Sequence, residues 1–127
     1  MIRTVAPLLA CGLVLVLTGT WVSLADSRPD EDEVEFEADV RPILDLYCFE
    51  CHGSKTPEAG LRLDSIQAIL EGGDGGPAIV PGKSAESLLF EVLTNEEGFR
   101  MPPEGEPVPE EEIEIIRAWI DQGAKVE

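Results

Sequence analysis

The side chains best suited to chemistry are gathered in one pentapeptide, Cys48-Phe49-Glu50-Cys51-His52, which holds two of the three cysteines and the only histidine. Thiol sulfur and imidazole nitrogen at this spacing admit four uses. Zinc takes four ligands, ordinarily as two separated pairs, and the chain offers no second Cys/His pair. A thioredoxin-like redox pair requires a strand-helix-strand setting, and no convincing strand is readable around it. A disulfide would account for Cys48 and Cys51 but not for the histidine that follows directly.

The fourth use accounts for all three residues, because the order Cys-x-x-Cys-His is that of covalent haem attachment. Two intervening residues let both thiols reach the vinyl groups on one side of the macrocycle, each closing a thioether. His52 then lies under the ring as proximal ligand. For the distal side, methionine occurs only at positions 1 and 101, and Met1 is lost with a cleaved leader. Met101 lies in "FRMPPEG", where Pro102 and Pro103 stiffen the loop and hold the sulfur at low entropic cost. A lone Met is often core filler, but one beside two prolines in a charged loop is an unusual core residue. Lys55, Lys83 and Lys125 compete only after losing a proton whose reference pKa is about 10.4. Arg62, Lys83 and Arg100 flank the loops around this centre, as propionate partners or as plain surface charges.

The elements that must position these groups read as helices and loops. Phe36, Val40, Ile43, Leu44 and Tyr47 recur at helical spacing into the cysteine motif, and Pro42 is tolerated only in a first turn, so a regular helix is expected from near Asp39. Asp64 or Ser65 is expected to cap a short helix over 66–71, stopped by Gly72 and Gly73. "GGDGGPAIVPG" lacks the strand and Lys-Ser/Thr context of a nucleotide loop and reads as a cofactor-wrapping loop. Ser84 is expected to cap a second helix with Leu88, Leu89, Val92 and Leu93 inward. The strongest helical pattern follows Pro109, with Glu110, Glu111 and Glu112 at the positive end of its dipole. Ile113, Ile116 and Ile120 form its stripe, Trp119 lies beside it, and Gly123 marks its stop. Three or four short helices with long loops form an all-α domain that lacks apolar mass at its centre.

The N-terminus differs from the rest. Residues 1–25 carry one charge, Arg3, then an apolar run, with Ser23 and Ala25 in a small-x-small cleavage pattern. They read as a signal peptide. Residues 5–25 are also long enough to serve as an uncleaved membrane anchor, and "LLAC" gives Cys11 as a lipoprotein alternative. Each reading exports the chain to a periplasmic or other extracytoplasmic setting. Residues 26–35 read as an acidic flexible spacer, and 36–127 as the folded domain. The net charge of the chain is −17; cleavage after Ala25 removes one cation, Arg3, and leaves −18. This argues against non-specific nucleic-acid binding and docking on an anionic membrane; it either steers a partner with a basic patch or mainly keeps the protein soluble. Membrane association is expected only if residues 5–25 stay uncleaved.

The chain resembles the monohaem class I cytochromes c, and within them the planctomycete-type cytochrome c domain. The blocks carrying the resemblance are "FEADVRPILDLYCFECHG", "AGLRLDS", "GGDGGPAIVPGKSAESLL", "RMPP" and "EEEIEIIRAWIDQGA". The resemblance implies a small all-α cytochrome c fold wrapped round one haem. It implies Cys48 and Cys51 as attachment points, His52 as proximal ligand and Met101 as distal ligand. It also implies a module usually found at the start of much longer proteins, although here it is expected to stand alone. One covalent haem c and one-electron transfer to a redox partner are therefore expected. No enzyme activity is expected: both axial positions are filled, and the single histidine is committed to iron. The alternative is a haem-based gas or redox sensor, or a docking module, with a displaceable distal Met101.

Overall fold

The computed structural model describes residues 33–125. The expected leader, most of the expected spacer and the last two residues lie outside the described residues. A π-helical turn, Phe36–Val40, leads into α1 (Arg41–Tyr47) and α2 (Phe49–His52); α3 (Ile66–Glu71), α4 (Leu88–Thr94) and α5 (Glu110–Asp121) follow. Among the described residues there is no strand, only the isolated bridges His52–Pro57 and Gly73–Gly76. The all-α expectation holds, with the helix before the motif divided at Cys48.

The π-turn has a local cause. Pro42 lies in the first turn of α1 and has no N–H to donate. Ahead of it the chain is wound wider, with Val40 and Arg41 donating five residues back to Glu35 and Phe36. The regular helix therefore starts at Arg41 rather than near Asp39. Residues 33–35 are tied down: Val34 N–H donates to Gln122 Oε1 at 2.9 Å, and Lys125 Nζ lies 3.0 Å from Glu33 Oε1.

α5 organises the core. Its stripe Ile113, Ile116 and Ile120 is buried, and so is Trp119, whose ring meets Phe36 at 5.3 Å between centroids. The indole N–H donates to the Lys125 carbonyl at 3.3 Å, which satisfies its one polar atom. Phe36, Val40 and Leu44 come from the first helical stretch. Each such side chain removed from water contributes roughly 1.5–3 kcal/mol. The helix ends where Gly123, at φ +98°, donates its N–H to the Ile120 carbonyl.

Ser65 caps α3, its Oγ accepting from the Ala68 N–H at 3.2 Å, while Asp64 pairs with Arg62. Ser84 does not cap α4. Residues Ser84–Glu86 form a 3-10 turn and α4 starts at Leu88. The Ser84 N–H donates to Asp121 Oδ1 at 2.9 Å, which fixes this turn to the end of α5. The buried hydroxyl of Ser87 donates to the Lys83 carbonyl at 2.8 Å and accepts from the Val80 N–H at 2.9 Å. These bonds, of which only Ser84 to Asp121 is long-range, hold the start of α4 without a side-chain cap. No helix among the described residues is long and apolar enough to cross a membrane.

Candidate haem site

One helical turn arranges the motif. The Cys48 N–H donates to the Leu44 carbonyl at 2.8 Å and closes α1; the His52 N–H donates to the Cys48 carbonyl at 2.8 Å and closes α2. Cys48, Cys51 and His52 are therefore related as i, i+3 and i+4, which share a helical face. All three line one cleft of about 240 Å³. Phe49, between them, packs against the core instead.

His52 is 9% exposed. Its Nδ1 lies 3.3 Å from the Leu61 carbonyl, and its own carbonyl accepts from the Leu63 N–H at 2.8 Å. This arrangement leaves Nε2 as the nitrogen available to a ligand-binding partner. Gly73 permits the same wall to close, since a Cβ there would lie 2.6 Å from the Ala59 carbonyl oxygen and 2.9 Å from Leu61 Cβ. Gly72, at φ +75°, turns the chain out of α3 into that wall.

Met101 lines the same cleft, so the structure brings together Cys48, Cys51, His52 and Met101. The Met101 N–H donates to the Val92 carbonyl of α4 at 2.9 Å, and the Met101–Pro102 peptide is cis. The rest of the lining is mostly apolar: Leu61, Leu63, Ala78, Leu89, Val92 and Leu93 among others. Gly73, Gly75, Gly76 and Ala78 belong to the loop expected to wrap a cofactor. Leu88, expected to point inward, is 41% exposed at the edge of the cleft. None of the competing lysines lines it.

Cys48 and Cys51 are not joined by a disulfide. Burial, with a smaller contribution from Cys51, pushes the Cys48 thiol up to about 11. Burial first, then Glu58 and Glu50, also raises the Cys51 thiol. Redox-active and nucleophilic cysteines need the opposite shift. Among the described residues no group of three or more His, Cys, Asp or Glu is arranged to hold a metal ion. Two thiols, one oriented imidazole and one thioether around an apolar cleft fit a covalently held haem.

Sequence reasoning did not find Tyr47 at this site. It lines the cleft on the residue before Cys48. Burial first, and then the neighbouring Glu112 and Glu111 carboxylates of α5, hold its phenol above the usual value. Glu112 Oε2 is itself buried without a hydrogen-bond partner among the described residues. The sequence signal was only Tyr47's place on the apolar face.

Residues 48–105 match the planctomycete cytochrome C family. No curated protein matches. Among solved structures the chain is similar to Kuenenia stuttgartiensis hydrazine synthase, at 29% identity and a TM-score of 0.48, over 73% of this chain and 16% of that one. The chain thus spans about a sixth of the length of that protein. The family segment begins at the first motif cysteine and runs past Met101 to Gly105. Over residues 48–105 the chain is similar to the planctomycete cytochrome C family.

Proposed function

We propose that the protein is a monohaem c-type cytochrome that carries single electrons outside the cytoplasm. The observation that carries this reading is the convergence of Cys48, Cys51, His52 and Met101 on one apolar cleft. Cys48 and Cys51 would hold the haem through thioethers, and His52 and Met101 would supply its nitrogen and sulfur ligands. When bound, the haem supplies reversible one-electron chemistry, which His/Met ligation sets at high potential.

The chain's own residues do the rest. The Leu61 carbonyl accepts the Nδ1–H of His52, which fixes the tautomer and ring plane and makes Nε2 the better donor. The Val92 carbonyl fixes the backbone of Met101. The apolar walls keep water from the metal and limit the charge rearrangement that accompanies electron transfer. With His52 and Met101 both engaged, no position would remain for a substrate, which supports a carrier rather than an enzyme. The net charge of −17 steers towards a redox partner with a basic patch and away from nucleic acid. Export rests on residues 1–25, and membrane attachment follows only if residues 5–25 are retained.

The test is redox titration of protein matured in a host competent for c-type haem, followed by exposure of the reduced form to carbon monoxide. A carrier titrates with one electron and its reduced spectrum is unchanged by the gas. Rapid carbon monoxide binding in the unsubstituted protein would replace the carrier reading with a sensor that releases Met101.

A further inference from the structure

Most described cations are neutralised by a neighbour. Arg41 is held by Glu37, Arg62 by Asp64, Lys83 by Glu86, Arg117 by Glu114 and Asp121, and Lys125 by Glu33. Lys55 is exposed on a loop. Arg100 is only partly exposed, yet its side chain makes no hydrogen bond or ion pair among the described residues. It lines a hollow of about 800 Å³ between the end of α4, the loop after it and the start of α5. That hollow shares Leu93, Phe99 and Pro103 with the cleft that holds Met101, and Arg100 is the only Lys or Arg among the residues lining either.

We infer that Arg100 receives a propionate of the haem at the outer end of the cleft. The inference rests on the haem reading proposed above. Of the three cations near the loops, Arg62 and Lys83 are already paired and line neither the cleft nor the adjoining hollow, whereas Arg100 lines the hollow that opens beside the cleft. Arg100 has its guanidinium fork uncommitted, and that fork matches a carboxylate in a bidentate pair. Glu96, Glu110 and Glu114 also line the hollow, and with the overall charge they repel any anion arriving from solution. A propionate does not arrive that way. Thioethers at Cys48 and Cys51 make its encounter with Arg100 intramolecular, at high effective concentration. Arg100 directly precedes Met101, so one short segment sets both the sulfur ligand and a positive charge beside the ring. That charge offsets the propionate and favours the reduced, less positive iron.

The experiment compares matured Arg100→Gln, Arg100→Lys, Arg62→Gln and Lys83→Gln with the unsubstituted protein. The readouts are midpoint potential and the propionate bending mode in resonance Raman. Arg100→Gln is expected to lower the potential and shift that mode while the covalent haem is retained. Arg100→Lys recovers part of the potential, and Arg62→Gln and Lys83→Gln change neither readout. Unchanged potential and mode in Arg100→Gln with covalent haem in place would overturn the inference and leave the cytochrome reading standing. An effect confined to Arg62→Gln or Lys83→Gln would overturn it as well. Lack of covalent haem in the unsubstituted protein would overturn both readings together.

Discussion

Where the first helical stretch packs on α5, Phe36, Val40, Leu44, Ile116, Trp119 and Ile120 are each at most 2% exposed and belong to one packed cluster. Around the cleft the residues are as apolar, but Leu61 and Val92 are only partly buried, and Leu88 and Phe99 are 41% and 65% exposed. The first region finds its partners within the chain, at helical spacing. The second is built from loops and one face of α4; Leu63, Ala78, Leu89 and Leu93 join the same cluster, yet with their partly buried neighbours they also line an open cleft. The contrast teaches that the helix pair is closed by the chain's own side chains, whereas on the proposed haem reading the loop side is finished by a bulky apolar group. A cofactor that supplies burial in this way contributes folding free energy as well as chemistry.

Withholding the haem is the strongest way to break the comparison. Expressed without c-type maturation, the chain is expected to lose cooperative unfolding and to be cleaved by protease first in the loops around the cleft, 54–65, 72–83 and 95–108. Protection of those loops equal to that of α5 would show that the loop side is complete without haem.

On the opposite side, Trp119→Ala in the matured protein should cost about 3–5 kcal/mol in urea unfolding, because it removes the ring that meets Phe36. The visible spectrum of the folded state should not change. A smaller loss is expected from Ser87→Ala, about 1–3 kcal/mol, since its buried hydroxyl serves both the Lys83 carbonyl and the Val80 N–H.

The smallest effect is a pH dependence. The Ser84 backbone N–H, more than any other neighbour, holds the Asp121 carboxyl below its ordinary value of 3.8. A depressed folded pKa stabilises above the unfolded value, and the contribution is lost as pH falls through the folded one. The carboxyl side chain is 40% exposed, so screening limits this to about 0.5 kcal/mol. Asp121→Asn should remove that limb from acid unfolding curves below about pH 4 and leave the rest unchanged.

Much of the site was legible because its geometry is local. Cys48, Cys51 and His52 fall on one helical turn whatever surrounds them, and Met101 stood out because methionine is so scarce. α5 was legible from its isoleucine spacing and from Gly123. Other features depend on which partners the fold supplies. Ser84 looks like a cap until Asp121, 37 residues away, takes its N–H. Asp64 and Ser65 were equal candidates until Arg62 engaged the first. Arg62 and Lys83 each pair with a carboxylate close by in the sequence, Asp64 and Glu86, whereas Arg100 finds none among the described residues. Leu88 was assigned inward by periodicity, but periodicity does not say whether the inward face meets side chains or a cleft.

The central claim is that the cleft is completed by a haem bonded through Cys48 and Cys51. Its most direct test is intact mass measured under denaturing acid, with solvent extraction of the same sample. The account predicts that the matured protein keeps its colour in the protein fraction and gains the mass of one haem, and that Cys48→Ser combined with Cys51→Ser loses both. A protein whose mass shows no added haem, or whose colour leaves with the solvent while both cysteines are present, would contradict it.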